Sequence, residues 1–214
     1  MRTLLAASLL ALSLPLAAQP YGASNTEGLL LQIGLDGQGL VIDDDGSDVE
    51  VEGGTVSLRA GYGFSPVFTL YAGAAGGRVE IDGRDEVDFG AGEIGGRFNL
   101  NAGHALRPYL DVALRGTVLQ DDDRDLELRG GGLTAGLGVA YFLSPTVALD
   151  AAVHLGGGRF DEVQVGNVTL DITDEEVDFG EGRLSVGLTA YPFRARGHDR
   201  GRRGRRGGRH GDRW

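Results

Sequence analysis

The chain has 214 residues, a length that fits a single all-β domain. Its 38 glycines follow no G-X-Y period, which excludes collagen, and the absence of cysteine excludes disulfides, cysteine-ligated metals and a lipidated N-terminal cysteine. The formal charge of −11 averages two unlike regions: residues 19–193 hold 10 Arg against 29 acids, while residues 194–214 hold 9 Arg against Asp199 and Asp212.

Residues 1–18 read as a signal peptide. Arg2 supplies the positive start, Leu4 to Leu16 the apolar stretch, and Ala17 and Ala18 the small residues before cleavage at Gln19. That stretch is too short for a membrane helix, and no later one has about 18 consecutive apolar residues. The expectation is an exported chain with no helical anchor, either a soluble domain or a membrane barrel.

Period-two alternation then predicts eight strands. They are Leu29–Gly37, Thr55–Phe64, Val67–Gly76, Phe89–Leu100, Tyr109–Leu119, Leu133–Phe142, Thr146–Gly156 and Phe179–Phe193. Each run is near the roughly 9–11 residues that a tilted strand needs to cross a bilayer. An approximate internal repeat supports the count: "DEVDFGAGEIGGRF" at 85–98 resembles "EEVDFGEGRLSVGL" at 175–188, and the segment 63–78 resembles 142–159.

The connections alternate between two kinds. Those at 63–66, 101–108 and 143–145 are short, while those at 43–52, 79–88, 120–129 and 159–178 are longer and carry 23 of the body's 29 acids. Antiparallel strands place alternate connections at opposite ends. All acidic loops are thus expected at one end, and the tight turns and both chain ends at the other, as in outer-membrane barrels.

Three features set which face is outward. Aromatic residues fall at strand ends, where rings settle at lipid–water interfaces: Tyr62, Phe64, Phe68, Phe98, Tyr109, Tyr141, Phe142, Tyr191 and Phe193 near the turns, and Phe89, Phe160 and Phe179 near the loops. The face opposite the Leu/Val face carries Asp36, Arg59, Glu93, Arg97, Asp111, Arg115, Asp150, His154, Glu181 and Arg183 in mid-strand. That near-balance of charge suits an interior where charges must be paired, and the small residues sharing the face suit the narrow interior of an eight-strand barrel. Finally, the last strand closes on "GLTAYPF", an alternating end with a terminal aromatic.

On these residues the chain resembles the small outer-membrane β-barrel family, the group containing the OmpX and OmpA barrel domains. The likeness covers about residues 25–193. It rests on the signal peptide, the amphipathic strands, the "YFLSP" turn with its "TVALDAAVHL" strand, and the terminal "YPF". It implies an eight-stranded antiparallel up-and-down transmembrane β-barrel in the bacterial outer membrane, but no single activity. The domain organisation read from it is signal peptide 1–18, barrel 19–193 and an Arg/Gly-rich basic tail 194–214. The basic tail stands where full-length OmpA-type proteins carry a peptidoglycan-binding domain.

Candidate chemistry is sparse. His154, Asp150, Ser185 and Glu181 could form a hydrolase group, yet the local sequence "VHLGG" lacks a His-x-Ser motif, and a His154–Asp150 pair in a filled interior is the better reading. No catalytic residue and no cofactor is assigned. The acidic loops "DDDGSD" and "QDDDRD" lack EF-hand spacing and read first as a solvated surface; divalent bridging to lipopolysaccharide phosphates is the alternative. "NVT" at 167–169 is a chance glycosylation triplet.

The functional expectation is a structural or surface-interaction protein with a filled, charge-paired lumen. A narrow porin-like ion channel and a soluble periplasmic barrel for a small apolar ligand are the alternatives. Expected partners are outer-membrane lipid, lipopolysaccharide, the barrel-assembly machinery through Tyr191–Phe193, and a periplasmic polyanion for the tail. Nucleic acid is not expected, because the chain is exported.

Overall fold

A computed structural model describes residues 26–44, 47–81, 85–121, 124–166, 168–171 and 177–192. The predicted leader 1–18, the basic tail 194–214, Phe193 and Asn167 lie outside the described residues. The described residues form nine strands: β1 (Gly28–Asp44), β2 (Ser47–Gly63), β3 (Phe68–Ile81), β4 (Asp85–Asn99), β5 (Leu106–Asp121), β6 (Leu126–Ser144), β7 (Val147–Val165), β8 (Val168–Asp171) and β9 (Val177–Ala190).

Eight of them close an antiparallel barrel in sequential order, with β9 paired to both β7 and β1 and with β6 paired to β7. This is the expected fold. The ninth element, β8, adds only a short hairpin to the upper end of β7, through Glu162↔Asp171 to Val165↔Val168. Both barrel termini lie at the turn end, since Gly28 pairs with Gly63 and Leu31 with Ala190.

Most strands are longer than predicted, and most of the growth is at the acidic end, although β5 and β6 also gain Leu106–Pro108 and Leu143–Ser144 at the turn end. β1 and β2 stay paired to Asp44↔Ser47, β3 and β4 to Ile81↔Asp85, and β5 and β6 to Asp121↔Leu126. The segments read as long acidic loops are therefore mostly ladder. Alternation continues through them with its polarity inverted. Glu50, Glu52, Glu80, Glu86 and Asp88 point outward, while Leu40, Ile42, Val51, Val79 and Val87 point in. Acids between apolar residues looked like loop; they are the wet outer face of strands projecting beyond the bilayer.

Outward glycines mark the change of level. Gly37, Gly54, Gly76, Gly92, Gly116, Gly131 and Gly180 form an exposed collar between the apolar band below and the charged rim above. Below it the outer surface is Leu, Ile and Val, with Leu35, Leu114, Leu137 and Leu155 between 66 and 69% exposed. So large an apolar surface is a lipid face. The soluble alternative required Leu137 and Leu149 to point inward, and both are exposed.

The short turns at the other end match their prediction, and two are built alike. Ser65 Oγ accepts from Phe68 N at 3.1 Å, and Ser144 Oγ accepts from Val147 N at 3.1 Å. Each serine precedes a proline, which has no N–H to lose and presets the turn. The 63–78 and 142–159 repeat is thus visible in the backbone.

The aromatic expectation needs correcting. Tyr62, Phe64 and Phe98 are exposed and Phe68 and Tyr141 half-buried, consistent with a ring of aromatics at the turn-side interface. Phe64 and Phe68 stack at 6.2 Å, and Phe68 tilts onto Phe98 at 5.1 Å. The loop-side rings Phe89, Phe160 and Phe179 instead point into the barrel, as do Tyr109, Phe142 and Tyr191. The reason is strand parity. Phe89 shares the face of Glu93, Phe179 that of Glu181, and Phe160 that of His154.

Candidate functional site: the charged lumen

The interior has three levels, and β1 spells them out. Its inward residues run Leu30, then Gln32, Gly34, Asp36 and Gln38, then Leu40 and Ile42. At the turn end Leu30, Tyr109, Ala140, Phe142, Ala148, Ala152 and Tyr191 pack together. At the opposite end Leu40, Ile42, Val51, Val79, Val87, Phe89, Leu119, Phe160 and Phe179 do the same. Polar and ionised groups fill the middle.

All ten mid-strand residues picked from the sequence point inward, and none is more than 7% exposed. Two hubs organise most of them. The first is Arg97. Its Nε donates to Asp111 Oδ1 at 3.0 Å, Nη2 to Asp111 Oδ2 at 3.1 Å, and Nη1 to Asp150 Oδ2 at 3.1 Å. Its guanidinium lies over the Tyr109 ring, 3.8 Å from the centroid, and Tyr109 donates its hydroxyl proton to Asp150. Gln32 Nε2 also donates to Asp150, at 3.1 Å. Such bidentate, charge-assisted geometry is the strong form of an ion pair.

Glu93 is the second hub. It accepts from Arg59 Nε, from Arg115 Nη1 at 3.1 Å, and from Arg183 Nη1 and Nη2 at 3.2 Å. Arg115 Nε lies 3.1 Å from Glu181 Oε2. Arg59 joins the hubs, with Nη1 3.8 Å from Asp111 Oδ2. Four arginines thus meet four carboxylates. Neighbouring strands supply the partners in register: Arg97↔Asp111 and Glu93↔Arg115 are directly opposed on β4 and β5.

The placement of the other two differs. His154 turns its Nε2 towards Asp111 Oδ2 at 3.5 Å, not towards Asp150, which Arg97, Tyr109 and Gln32 already occupy. The expected His154–Asp150 pair is therefore corrected. Ser185 Oγ has no hydrogen-bond partner among the described residues, so no nucleophile–base contact joins it to His154. Asp36 has neither a hydrogen bond nor an ion pair to any described residue.

Sequence reasoning missed several members. Arg107 is fully buried at the turn end, donates to Thr26 Oγ1 at 3.1 Å, and lies over Phe142 at 5.0 Å. Tyr71, Tyr109, Gln32 and Gln38 also line the interior. Parity would have found them, since residues 107 and 109 alternate in step with Asp111 and residues 32 and 38 with Asp36. Two glycines make room for the rings. A Cβ at Gly138 would strike Tyr109, and one at Gly136 would strike the His154 ring. Tyr191 stacks inward on Phe142 at 5.9 Å. Among the described residues, no group of three His, Asp or Glu side chains is placed to hold a metal ion.

Comparison with known proteins agrees with this geometry. The family model described as "Outer membrane protein beta-barrel domain" matches residues 3–189. No curated protein matches the chain. Among solved structures, Neisserial surface protein A is 19% identical, with a TM-score of 0.50, covering 77% of this chain and 99% of that one. OprG from Pseudomonas aeruginosa is 14% identical, with a TM-score of 0.53, covering 80% of this chain and 99% of that one. At such identities the two structures speak for the fold alone. The matched family and the lipid-facing apolar band agree, and the chain belongs to the outer membrane protein beta-barrel domain family, as a transmembrane barrel of the bacterial outer membrane.

Proposed function

We infer that the protein serves as a structural or surface-interaction element of the outer membrane, with a lumen that is plugged and not conducting. The observation that carries this reading is Arg97, 1% exposed and held by two carboxylates and an aromatic ring in mid-barrel. An eight-strand barrel leaves just enough interior for side chains. Here ion pairs fill the middle and apolar clusters cover both ends. An ion crossing this path would have to part buried pairs whose separation costs several kcal/mol.

The reading assigns no catalysis and no cofactor to the lumen. Interaction then falls to the outer rim, where acidic strand ends project beyond the lipid band. The tail 194–214 is assigned to a periplasmic polyanion such as an anionic headgroup or wall polymer. Planar-bilayer recording tests the central point. The native protein should stay silent under voltage, and a steady conductance from the purified native barrel would transfer the role to the channel alternative.

A further inference from the structure

Asp36 sits in the middle tier of β1, 4% exposed, with both carboxylate oxygens lacking a hydrogen bond to any described residue. The two residues opposite it in register are Thr55 on β2 and Ser185 on β9. Both point inward, are buried, and have hydroxyl oxygens that lack a hydrogen-bond partner among the described residues. Three adjacent strands therefore line up four unsatisfied oxygens at one level of the lumen. Beneath them Gly34 keeps the wall close: a Cβ built there would lie 3.6 Å from Asp36 Oδ1 and would collide with Ser57 Oγ, 2.8 Å away.

Charge makes this row different from the rest of the lumen. The four arginines of the hubs are matched by Glu93, Asp111, Asp150 and Glu181, which leaves Asp36 without an arginine partner among the described residues at mid-barrel. Arg183, one rung from Ser185 and opposite Gln38, holds both terminal nitrogens on Glu93. Arg107 is at the turn end, against Thr26. An ionised carboxylate buried without a counter-charge is strongly disfavoured, and hard oxygens are what a hard cation takes.

We propose that Asp36, Thr55 and Ser185 form a site for a small monovalent cation of the sodium class, which offsets the charge of Asp36 at mid-barrel. One carboxylate balances one positive charge. A divalent ion would leave an excess among four arginines and needs roughly six to eight oxygens for calcium. The site goes beyond a structural role, because it makes the folded barrel responsive to the ion present when it forms.

The test uses the full chain, refolded in detergent in sodium chloride or in choline chloride of equal ionic strength. The readout is the temperature at which gel mobility changes from folded to unfolded. Sodium should raise this midpoint in a saturable way, because it binds the folded state alone. Asp36→Asn should abolish the sodium dependence, and Thr55→Val, which keeps the charge, should weaken the apparent sodium affinity about tenfold. Infrared spectra of the native protein should show no protonated carboxyl at neutral pH. Identical midpoints in the two salts would overturn the site, as would sodium dependence surviving in Asp36→Asn. So would a protonated carboxyl band that is lost in Asp36→Asn, which would mean that Asp36 is neutralised by a proton. The salt comparison uses the native chain, so it decides the matter even where a variant fails to fold.

Discussion

Arg97 on β4 and Asp111 on β5 are direct register partners that share two hydrogen bonds, at 3.0 and 3.1 Å, with each residue 1% exposed. The pair ties a neighbouring-strand ladder to the lumen's charge chemistry. It also makes the two residues interdependent. Arg97→Ala leaves Asp111 and Asp150 buried with their main partner gone, which should cost about 3–5 kcal/mol. Arg97→Met with Asp111→Leu removes both charges of the pair, leaves Asp150 its Tyr109 and Gln32 donors, and should recover part of that loss. Urea unfolding of the folded barrel in lipid measures both. Equal stability of Arg97→Ala and the native chain would mean that the network contributes nothing.

The lipid band predicts a depth-dependent penalty. Leu137 lies mid-strand on the outer face of β6, 66% exposed. Leu137→Arg should cost about 2–4 kcal/mol, whereas Glu52→Arg on the outer rim should be close to neutral. Unfolding in lipid vesicles compares them. Similar costs at both positions would contradict the placement of the membrane.

The upper apolar cluster gives a third expectation. Phe160 is 1% exposed and tilts onto Phe179 with ring centroids 4.9 Å apart. Phe160→Ala opens a cavity inside the barrel and should destabilise it by about 3–5 kcal/mol. If Phe160 were an interfacial ring on the lipid side, the loss would be far smaller and would vary with lipid thickness. Refolding in two lipids of different chain length separates the cases.

Much of this was legible as period-two patterning. Parity alone put Asp36, Arg59, Glu93, Arg97, Asp111, Arg115, Asp150, His154, Glu181 and Arg183 on one face, and the serine-proline turns marked one end. What failed was the acidic end. There the alternation persists while polarity inverts, so Glu50 and Val51 look like loop to a reader expecting apolar residues outside. Distance along the strand puts Phe89, Phe160 and Phe179 at the loop-side interface, but their parity with Glu93, His154 and Glu181 turns them inside. Partner choice had no local signal at all. Whether His154 faces Asp111 or Asp150 depends on side chains from β4, β5 and β7 meeting across a closed lumen.

Ring packing over glycine yields a fourth expectation. A Cβ at Gly138 would collide with Tyr109, whose ring covers Arg97 and whose hydroxyl serves Asp150. Gly138→Ala should therefore lower stability by about 1–3 kcal/mol through overpacking, despite being a one-methyl change in a strand. Gly131→Ala, on the outward collar with only Arg115 O near its Cβ position, is the control and should be neutral or slightly stabilising. A comparable loss in both would remove Tyr109 from the account.

The most direct test of a lipid-wrapped barrel with a sealed lumen is thiol accessibility, since the native chain has no cysteine. Thr134→Cys places a thiol inside the barrel, where Thr134 is 4% exposed, and Leu137→Cys places one on the lipid face of the same strand. Each variant is refolded into vesicles and treated with a charged, water-soluble thiol reagent and with a lipid-soluble one. The account predicts that Thr134→Cys resists both until the barrel is unfolded, while Leu137→Cys reacts only from the lipid. Rapid labelling of folded Thr134→Cys by the charged reagent would mean a water-filled lumen and would contradict it.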